Sequence, residues 1–177
     1  FIKPGSCVVP LDESFSIPAD RGAVHYEAEI AVLIGKPLSK KPNAEEVMDA
    51  ISGFAPALDL TLRDVQDQLK AKGYPWEVAK AFDGACVLAP FVPGDAVVDL
   101  RDIGIRLSLN GAVRQDGNSR DMLNPILPLI QHICGHFSLQ PGDVILTGTP
   151  AGVGPLASGD QLQLELVDHS SFVSQVL

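Results

Sequence analysis

Two glutamates lie two residues apart in a segment whose pattern is typical of a β-strand. From Val24 to Gly35 apolar side chains occupy one face, and Glu27 and Glu29 share the other. At an effective dielectric constant of about 20, two like charges roughly 4 Å apart repel by about 4 kcal/mol. Water must therefore solvate the pair, or one carboxyl group is protonated, or a cation lies between them.

A third carboxylate, Asp59, lies within the apolar run APALDLTL, where a buried charge needs a partner. If Asp59 falls where a strand meets the next helix, it can join Glu27 and Glu29 in an all-oxygen site. Such a site suits Mg²⁺ or Mn²⁺ better than Zn²⁺, which prefers nitrogen and sulfur ligands. Two simpler interpretations stay open: the glutamates line a solvated sheet face, or Asp59 caps a helix.

Short helices and strands are predicted around these acids. Asn43 and Glu46 have the spacing of a capping box, and we expect their helix to run through Ile51 and stop at Gly53. A second helix is predicted over LRDVQDQLKAKG, and a third opens at Asn124-Pro125, with apolar side chains from Ile126 to Phe137 on one side. A hairpin is predicted to turn at Asn110-Gly111. Strands are predicted in GDVILTG, DQLQLELVD and SFVSQVL. The pattern indicates a β-rich α+β roll, and no repeat or linker divides residues 1–177, which we expect to form one domain.

Composition excludes several classes of partner. The 177 residues carry a net charge of −9, so we expect neither nucleic acid nor an anionic membrane surface as partner. No apolar run reaches the roughly 18 residues of a membrane span. Cys7, Cys86 and Cys134 form no C-x-x-C pair and fit small buried side chains in a reducing cytoplasm.

Five segments, in chain order, resemble the fumarylacetoacetate hydrolase family, particularly its small acylpyruvase-like and hydroxymuconate isomerase-like members: HYEAEIAVLIG, ALDLTLRDVQ, PWEVAKAFD, LSLNGAVRQDG and GDVILTGTPAGVGPL. The resemblance covers nearly the whole chain and implies a mixed β-sandwich roll with a few short helices, assembled as a homodimer. It also implies a Mg²⁺ or Mn²⁺ site formed by Glu27, Glu29 and Asp59. Catalytic or substrate-binding roles are implied for Lys3, Arg63, Gln66, Lys80 and Thr149, although Arg63 could instead support only the fold or a subunit contact.

The implied substrate is a small anionic oxo-acid, whose adjacent keto and carboxylate oxygens can chelate one divalent ion. Lys80 could hold the substrate carboxylate or orient an attacking water, although an exposed helix lysine is the simpler interpretation. Gln66 could donate a hydrogen bond to a substrate oxygen. Gly148 and Thr149 could bind an anion where a predicted strand ends, although an ordinary glycine-proline turn explains them too.

Hydrolases of this type usually supply a histidine and an acidic partner from a lid upstream of the segment that matches FIKP. We expect that segment to be missing from the sequence, which leaves the general base unidentified. The sequence favours metal-dependent hydrolysis of the carbon–carbon bond of an acylpyruvate, such as fumarylpyruvate or acetylpyruvate. Alternatives are an isomerase or decarboxylase of hydroxymuconate-type or oxaloacetate-type diacids, and a non-catalytic module that binds metal or protein.

Overall fold

Thirteen short strands and four short helices build the fold, which the computed structural model describes for residues 1–177. The strands are β1 (Val8–Pro10), β2 (Val24–Tyr26), β3 (Ala28–Ile34), β4 (Ile51–Asp59), β5 (Thr61–Leu62), β6 (Cys86–Leu88), β7 (Val92–Pro93), β8 (Gly104–Leu109), β9 (Ala112–Asn118), β10 (Val144–Leu146), β11 (Gly154–Pro155), β12 (Gln161–Leu166) and β13 (Ser170–Gln175). The helices are α1 (Ala44–Ala50), α2 (Arg63–Lys72), α3 (Glu77–Lys80) and α4 (Ile126–Cys134). This architecture confirms the predicted β-rich α+β class.

The strands form three sheets. The largest has the order β1-β6-β4-β3-β10, with β7 also paired to β4; the others are β11-β2-β5 and β13-β12-β8-β9. Strand β3 contacts β8 and β4 contacts β12, so the four-stranded sheet packs against the largest one. The buried apolar side chains form one continuous core of 41 residues. Their removal from water is the main term that favours this packing.

Several local predictions are confirmed. Asn43 and Glu46 form both hydrogen bonds of the capping box at the start of α1. Helix α2 ends at Gly73, whose φ of 66° is left-handed and therefore suits glycine. The β8–β9 hairpin turns at Asn110-Gly111, where both φ angles are positive. The three cysteines are free and buried, as expected.

Other boundaries differ from the prediction. Helix α1 ends at Ala50, and Ile51 is already extended because β4 starts there and pairs with β3. Helix α4 begins after Pro125, which is its N-cap, and ends at Cys134. Phe137 therefore lies beyond the helix, with 59% of its surface exposed. No helix is both long and apolar enough to span a membrane.

The segment predicted as one strand from Val24 to Gly35 is interrupted at Glu27. Before this residue, β2 pairs with β5 and β11; after it, β3 pairs with β4 and β10. The chain thus passes from one sheet to another at the first of the two glutamates. Strands β4 and β5 are likewise separated at Leu60, directly after Asp59. The candidate site lies at this junction of two sheets.

Candidate active site

The pairing of β3 with β4 brings the three predicted carboxylates together. Ala28 is opposite Leu58, and one step further the Asp59 N–H donates to the Glu27 carbonyl oxygen at 2.9 Å. Glu27 and Asp59 are therefore cross-strand neighbours, and Glu29 follows two residues later on the same face. All three are buried, with at most 9% of their surface exposed. The solvated-face interpretation of the glutamates is wrong.

Helix capping does not explain Asp59 either. It is the last residue of β4, whereas the N-cap of α2 is Leu62, which makes no side-chain cap bond. Asp59 is 1% exposed. The capping interpretation is therefore wrong, and the side chain must be stabilised by charged or polar partners.

The three carboxylates fit a divalent metal ion. One oxygen each from Glu27, Glu29 and Asp59 lies within 4.8 Å of the others, close to the roughly 3–4 Å between oxygens around a Mg²⁺ ion bound at about 2.1 Å. Asp59 Oδ1 is buried and accepts no hydrogen bond, although Lys3 Nζ lies 2.8 Å from it as an ion-pair partner. This oxygen is therefore free to act as a metal ligand, and oxygen-only donors suit a hard cation.

A lysine supplies positive charge between two of these acids. Lys80 Nζ donates to Glu27 Oε2 at 2.7 Å, Asp59 Oδ2 at 2.6 Å and Thr61 Oγ1 at 2.6 Å. An ammonium group carries three N–H bonds, and all three are used here. Lys80 is only 2% exposed, so the interpretation of it as an exposed helix lysine is wrong.

Two further cations flank the acids. Arg63 donates to Glu27 Oε1 at 2.6 Å and to Gln66 Oε1 at 2.5 Å. Lys3 Nζ lies 2.8 Å from Asp59 Oδ1, but it directs its hydrogen bonds to the main-chain oxygens of Lys80 and Ala85. Glu27 and Asp59 thus have cationic partners on both oxygens, and each cation was among the predicted site residues.

Glu29 differs from the other two acids because no cation contacts it. Its Oε2 accepts a hydrogen bond from the Gly148 N–H at 2.6 Å. Burial, together with the negative charges of Asp59 and Glu27, raises the pKa of Glu29 to about 8. Burial also opposes ionisation of Glu27, but Lys80 and Arg63 outweigh it and lower the pKa of that carboxyl group. A divalent ion would supply the positive charge that Glu29 lacks.

The strand exit predicted to bind an anion borders the acids. Gly148 has a φ of 97°, and open space surrounds the position where a side chain would begin. Thr149 and Pro150 follow it along one wall of a cleft of about 460 Å³. The three carboxylates do not line this cleft. The candidate active site is therefore located by the contacts of these carboxylates and not by the size of a cavity.

Sequence reasoning assigned no role to two residues that contact the site, Gln115 and Thr61. Both are fully buried polar side chains; Thr61 binds Lys80, and Gln115 binds the main chain of Ala28 and the hydroxyl of Thr149. His25 pairs with Thr61 across the strands, and its Nδ1 accepts from Arg63 Nε at 3.4 Å. The glutamine in VRQDG and the threonine in LDLTL carry no local pattern that distinguishes them from surface residues of strands.

Comparison with known proteins agrees with this geometry. The family model described as fumarylacetoacetate (FAA) hydrolase C-terminal matches residues 1–177. The chain belongs to the fumarylacetoacetate hydrolase family.

Two curated proteins similar to this chain are named as oxaloacetate tautomerases. YcgM of Escherichia coli is 48% identical over 171 residues, which are 96% of this chain and 78% of that protein. Mitochondrial FAHD1 of Homo sapiens is 38% identical over 163 residues, 92% of this chain and 73% of that protein. These relatives support the isomerase alternative better than the hydrolase favoured by sequence reasoning.

A solved structure is also similar. Fumarylpyruvate hydrolase from Pseudomonas aeruginosa, in complex with Mn²⁺ and pyruvate, superposes with a TM-score of 0.94 at 30% identity. The match covers 100% of this chain and 77% of that one. A solved enzyme named as a hydrolase therefore has this fold, whereas the two curated sequence relatives are named as tautomerases.

Proposed function

We propose that this protein is a divalent-metal-dependent tautomerase that interconverts the enol and keto forms of oxaloacetate. The observation that carries the proposal is the 48% identity with the Escherichia coli oxaloacetate tautomerase across 96% of this chain. The buried acids and cations are the groups that such a reaction requires. In ketonisation the enol hydroxyl loses a proton, the carbon next to the oxygen-bearing carbon gains one, no carbon–carbon bond breaks and no water is consumed.

Glu27, Glu29 and Asp59 are the residues that would hold Mg²⁺ or Mn²⁺. When bound, the ion supplies an electrophile that stabilises negative charge on the oxygens of a 2-oxo acid. The carboxylates are fixed before any ligand arrives, because Lys80, Arg63 and the Gly148 N–H hold them. Such preorganisation avoids the cost of ordering the site during the reaction.

Lys80 and Gln66 are the residues proposed to contact the reacting part of the substrate. All three N–H bonds of Lys80 are used, so it reaches an oxygen of the substrate only by giving up one carboxylate or Thr61. Gln66 already accepts from Arg63, which leaves its amide N–H groups as donors for a substrate oxygen. Both residues would then stabilise charge on the enolate.

Lys3, Arg63, Gly148 and Thr149 are proposed to bind the anionic ends of the diacid. Gly148 is exposed and leaves room for a ligand next to Glu29. Arg63 and Lys3 balance the charge of the acids, and a bound divalent ion would add the positive charge that attracts a dianion. His25 is a candidate proton carrier, because burial and then the charge of Arg63 lower its pKa and favour the neutral imidazole.

A direct assay tests the proposal. Enol oxaloacetate is mixed with the protein and Mg²⁺, and both the loss of enol absorbance and the formation of pyruvate are followed. We expect the enol to disappear faster without extra pyruvate, and chelation by EDTA to remove the acceleration. Glu29→Gln should also remove it, whereas Glu165→Gln, a matched change on β12 away from the site, should not. An unchanged rate with Mg²⁺ present would reject the tautomerase.

Hydrolysis of acylpyruvates is a second candidate, favoured by the similarity to the Mn²⁺–pyruvate complex of fumarylpyruvate hydrolase. Acetylpyruvate and fumarylpyruvate are tested in parallel, with pyruvate release as the measurement. Hydrolysis at a higher kcat/KM than that for oxaloacetate tautomerisation would make the protein an acylpyruvase. We expect the opposite order, because the hydrolase is the more distant relative in identity.

A further inference from the structure

Gln115 is the one buried side chain on a strand that is otherwise open to solvent. It is 1% exposed, whereas every other residue of β9 is partly or fully exposed. A buried amide that lacked hydrogen-bond partners would destabilise the fold, so its partners show what this side chain holds in place.

The partners belong to the two segments that carry the site. Gln115 Oε1 accepts from the Ala28 N–H at 2.9 Å, and Ala28 lies between the two glutamates. Its Nε2 donates to Thr149 Oγ1 at 2.8 Å and to the Pro150 carbonyl oxygen at 2.8 Å. One side chain therefore joins β3 to the loop that follows β10.

The loop from Gly148 to Gly152 lies directly against β9. A Cβ atom on Gly117 would be 2.7 Å from Pro150 Cβ, and one on Gly152 would be 2.1 Å from the Arg114 carbonyl oxygen. Both glycines therefore allow a close approach that a larger residue would prevent. Gln115 lies between these two contacts and supplies the polar bonds of the same interface.

The orientation of the Gln115 amide is fixed by its main-chain partners. The Ala28 N–H can only donate, so it requires Oε1; the Pro150 carbonyl can only accept, so it requires Nε2. Nε2 consequently donates to the Thr149 hydroxyl, which acts as the acceptor in that bond. Thr149 Oγ1 accepts in this bond, so its own hydroxyl hydrogen stays free to be donated to a different acceptor.

We propose that Gln115 is a positioning residue that orients Thr149 as a hydrogen-bond donor to an anionic oxygen of the substrate. It also holds the loop so that the Gly148 N–H reaches Glu29 at 2.6 Å. The inference rests on the proposed function, because it takes the ligand to be an oxo-acid. It adds a residue that selects ligands with an acceptor oxygen at this position.

Oxalate, a two-carbon diacid, is the probe. Its dissociation constant is measured by calorimetry with saturating Mg²⁺, and the Mg²⁺ affinity is measured separately. Gln115→Met removes all three hydrogen bonds at nearly constant volume. Gln131→Met is the matched control. Gln131 lies on α4, and its Nε2 also donates to a main-chain oxygen, that of Pro42, at 2.9 Å.

We expect Gln115→Met to weaken oxalate binding about tenfold or more beyond any change in Mg²⁺ affinity, the range seen when supporting hydrogen bonds of a site are removed. Gln131→Met should change oxalate affinity less than about twofold, although melting temperature falls in both variants. Equal effects of the two variants on oxalate binding would overturn the proposal.

Two single substitutions of Thr149 test whether its hydroxyl binds the anion, and they do not require Gln115→Met to fold. Thr149→Val should weaken oxalate binding about tenfold, and Thr149→Ser, which keeps the hydroxyl, should restore it. In the Gln115→Met background, Thr149→Val should have little further effect. Full additivity of the two substitutions, or unchanged binding by Thr149→Val, would refute the role of Gln115.

Oxalate binding by the wild-type protein distinguishes failure of the proposed function from failure of the positioning role of Gln115. Failure of the wild-type protein to bind oxalate with Mg²⁺ would refute the proposed function. Binding by the wild type that Gln115→Met leaves intact would refute only the positioning role.

Discussion

Two lysine–aspartate pairs in this protein have nearly the same geometry and opposite surroundings. Lys80 Nζ lies 2.6 Å from Asp59 Oδ2, and both side chains are almost completely buried, at 3% and 2% exposed. Lys36 Nζ lies 2.7 Å from Asp49 Oδ1 on the surface, where the side chains are 59% and 67% exposed. Water screens the second pair and leaves the first to interact in a low dielectric.

The distance between two charges does not by itself show how much the pair contributes to stability. At the surface, solvent replaces a lost partner at little cost. At the junction of β3 and β4, a lost partner leaves a buried charge with nothing to balance it. The buried acids are also unequal among themselves, because Glu27 and Asp59 have cationic partners and Glu29 has only a main-chain N–H.

The largest effect is expected for Lys80→Met in the metal-free protein. It leaves Glu27 and Asp59 without their shared ammonium group, and breaking such a buried pair costs about 3–5 kcal/mol. Urea unfolding in EDTA measures the loss of unfolding free energy. Saturating Mg²⁺ should stabilise this variant more than the wild type, because the ion supplies the missing positive charge. A loss no greater than that of Lys36→Met would contradict the comparison.

The pH dependence of stability is expected to depend strongly on Glu29. Its pKa is about 8 in the folded protein against an ordinary value of 4.5, so the folded state binds the proton more tightly. The contribution of this group to unfolding free energy is therefore complete below about pH 4.5 and is lost as the pH rises through 8, by up to about 5 kcal/mol. Urea titrations in EDTA from pH 5 to 9 should show this decline, and Glu29→Gln should flatten it. The same slope in the variant would assign the decline to other groups.

A somewhat smaller effect is expected on metal binding. Glu29→Gln removes a ligand that has no cationic partner, so Mg²⁺ affinity should fall by about a hundredfold while the metal-free fold persists. Asp59→Asn should weaken Mg²⁺ binding similarly but also destabilise the metal-free protein, because Lys3 and Lys80 lose their partner. Calorimetry combined with thermal unfolding distinguishes the two variants. Equal stability of both would show that the cations do not depend on Asp59.

The smallest effect is expected for Lys36→Met. An exposed pair contributes about 0–1 kcal/mol, and added salt reduces it further. Urea unfolding at low and at high ionic strength should therefore show little change in stability, and oxaloacetate turnover should equal that of the wild type. A loss above about 2 kcal/mol would mean that solvent exposure is not what separates the two pairs.

Features that depend on neighbouring residues could be predicted from the sequence. The capping box of Asn43 and Glu46, the end of α2 at Gly73 and the Asn110-Gly111 turn are all set by interactions within a few residues. The ordered family segments also identified the family and named the three carboxylates, because they span nearly the whole chain.

Several element boundaries and strand partners depend instead on contacts between segments that are distant in the chain. Ile51 is extended rather than helical because β4 forms hydrogen bonds with β3 from this residue onward. Glu27 interrupts the predicted strand because the residues before it and after it join different sheets. Strand register, which no short window contains, places Asp59 beside Glu27.

The polar network of the site depends even more on distant contacts. Gln115 meets Ala28 across 87 residues of sequence, and Lys80 meets Glu27 across 53. Nothing near Lys80 in the chain indicates that it is buried, since lysine usually lies at the surface. These residues meet only when the chain folds, and fixed protein partners then replace the water around each polar group. The positions of these side chains could therefore not be predicted from local sequence.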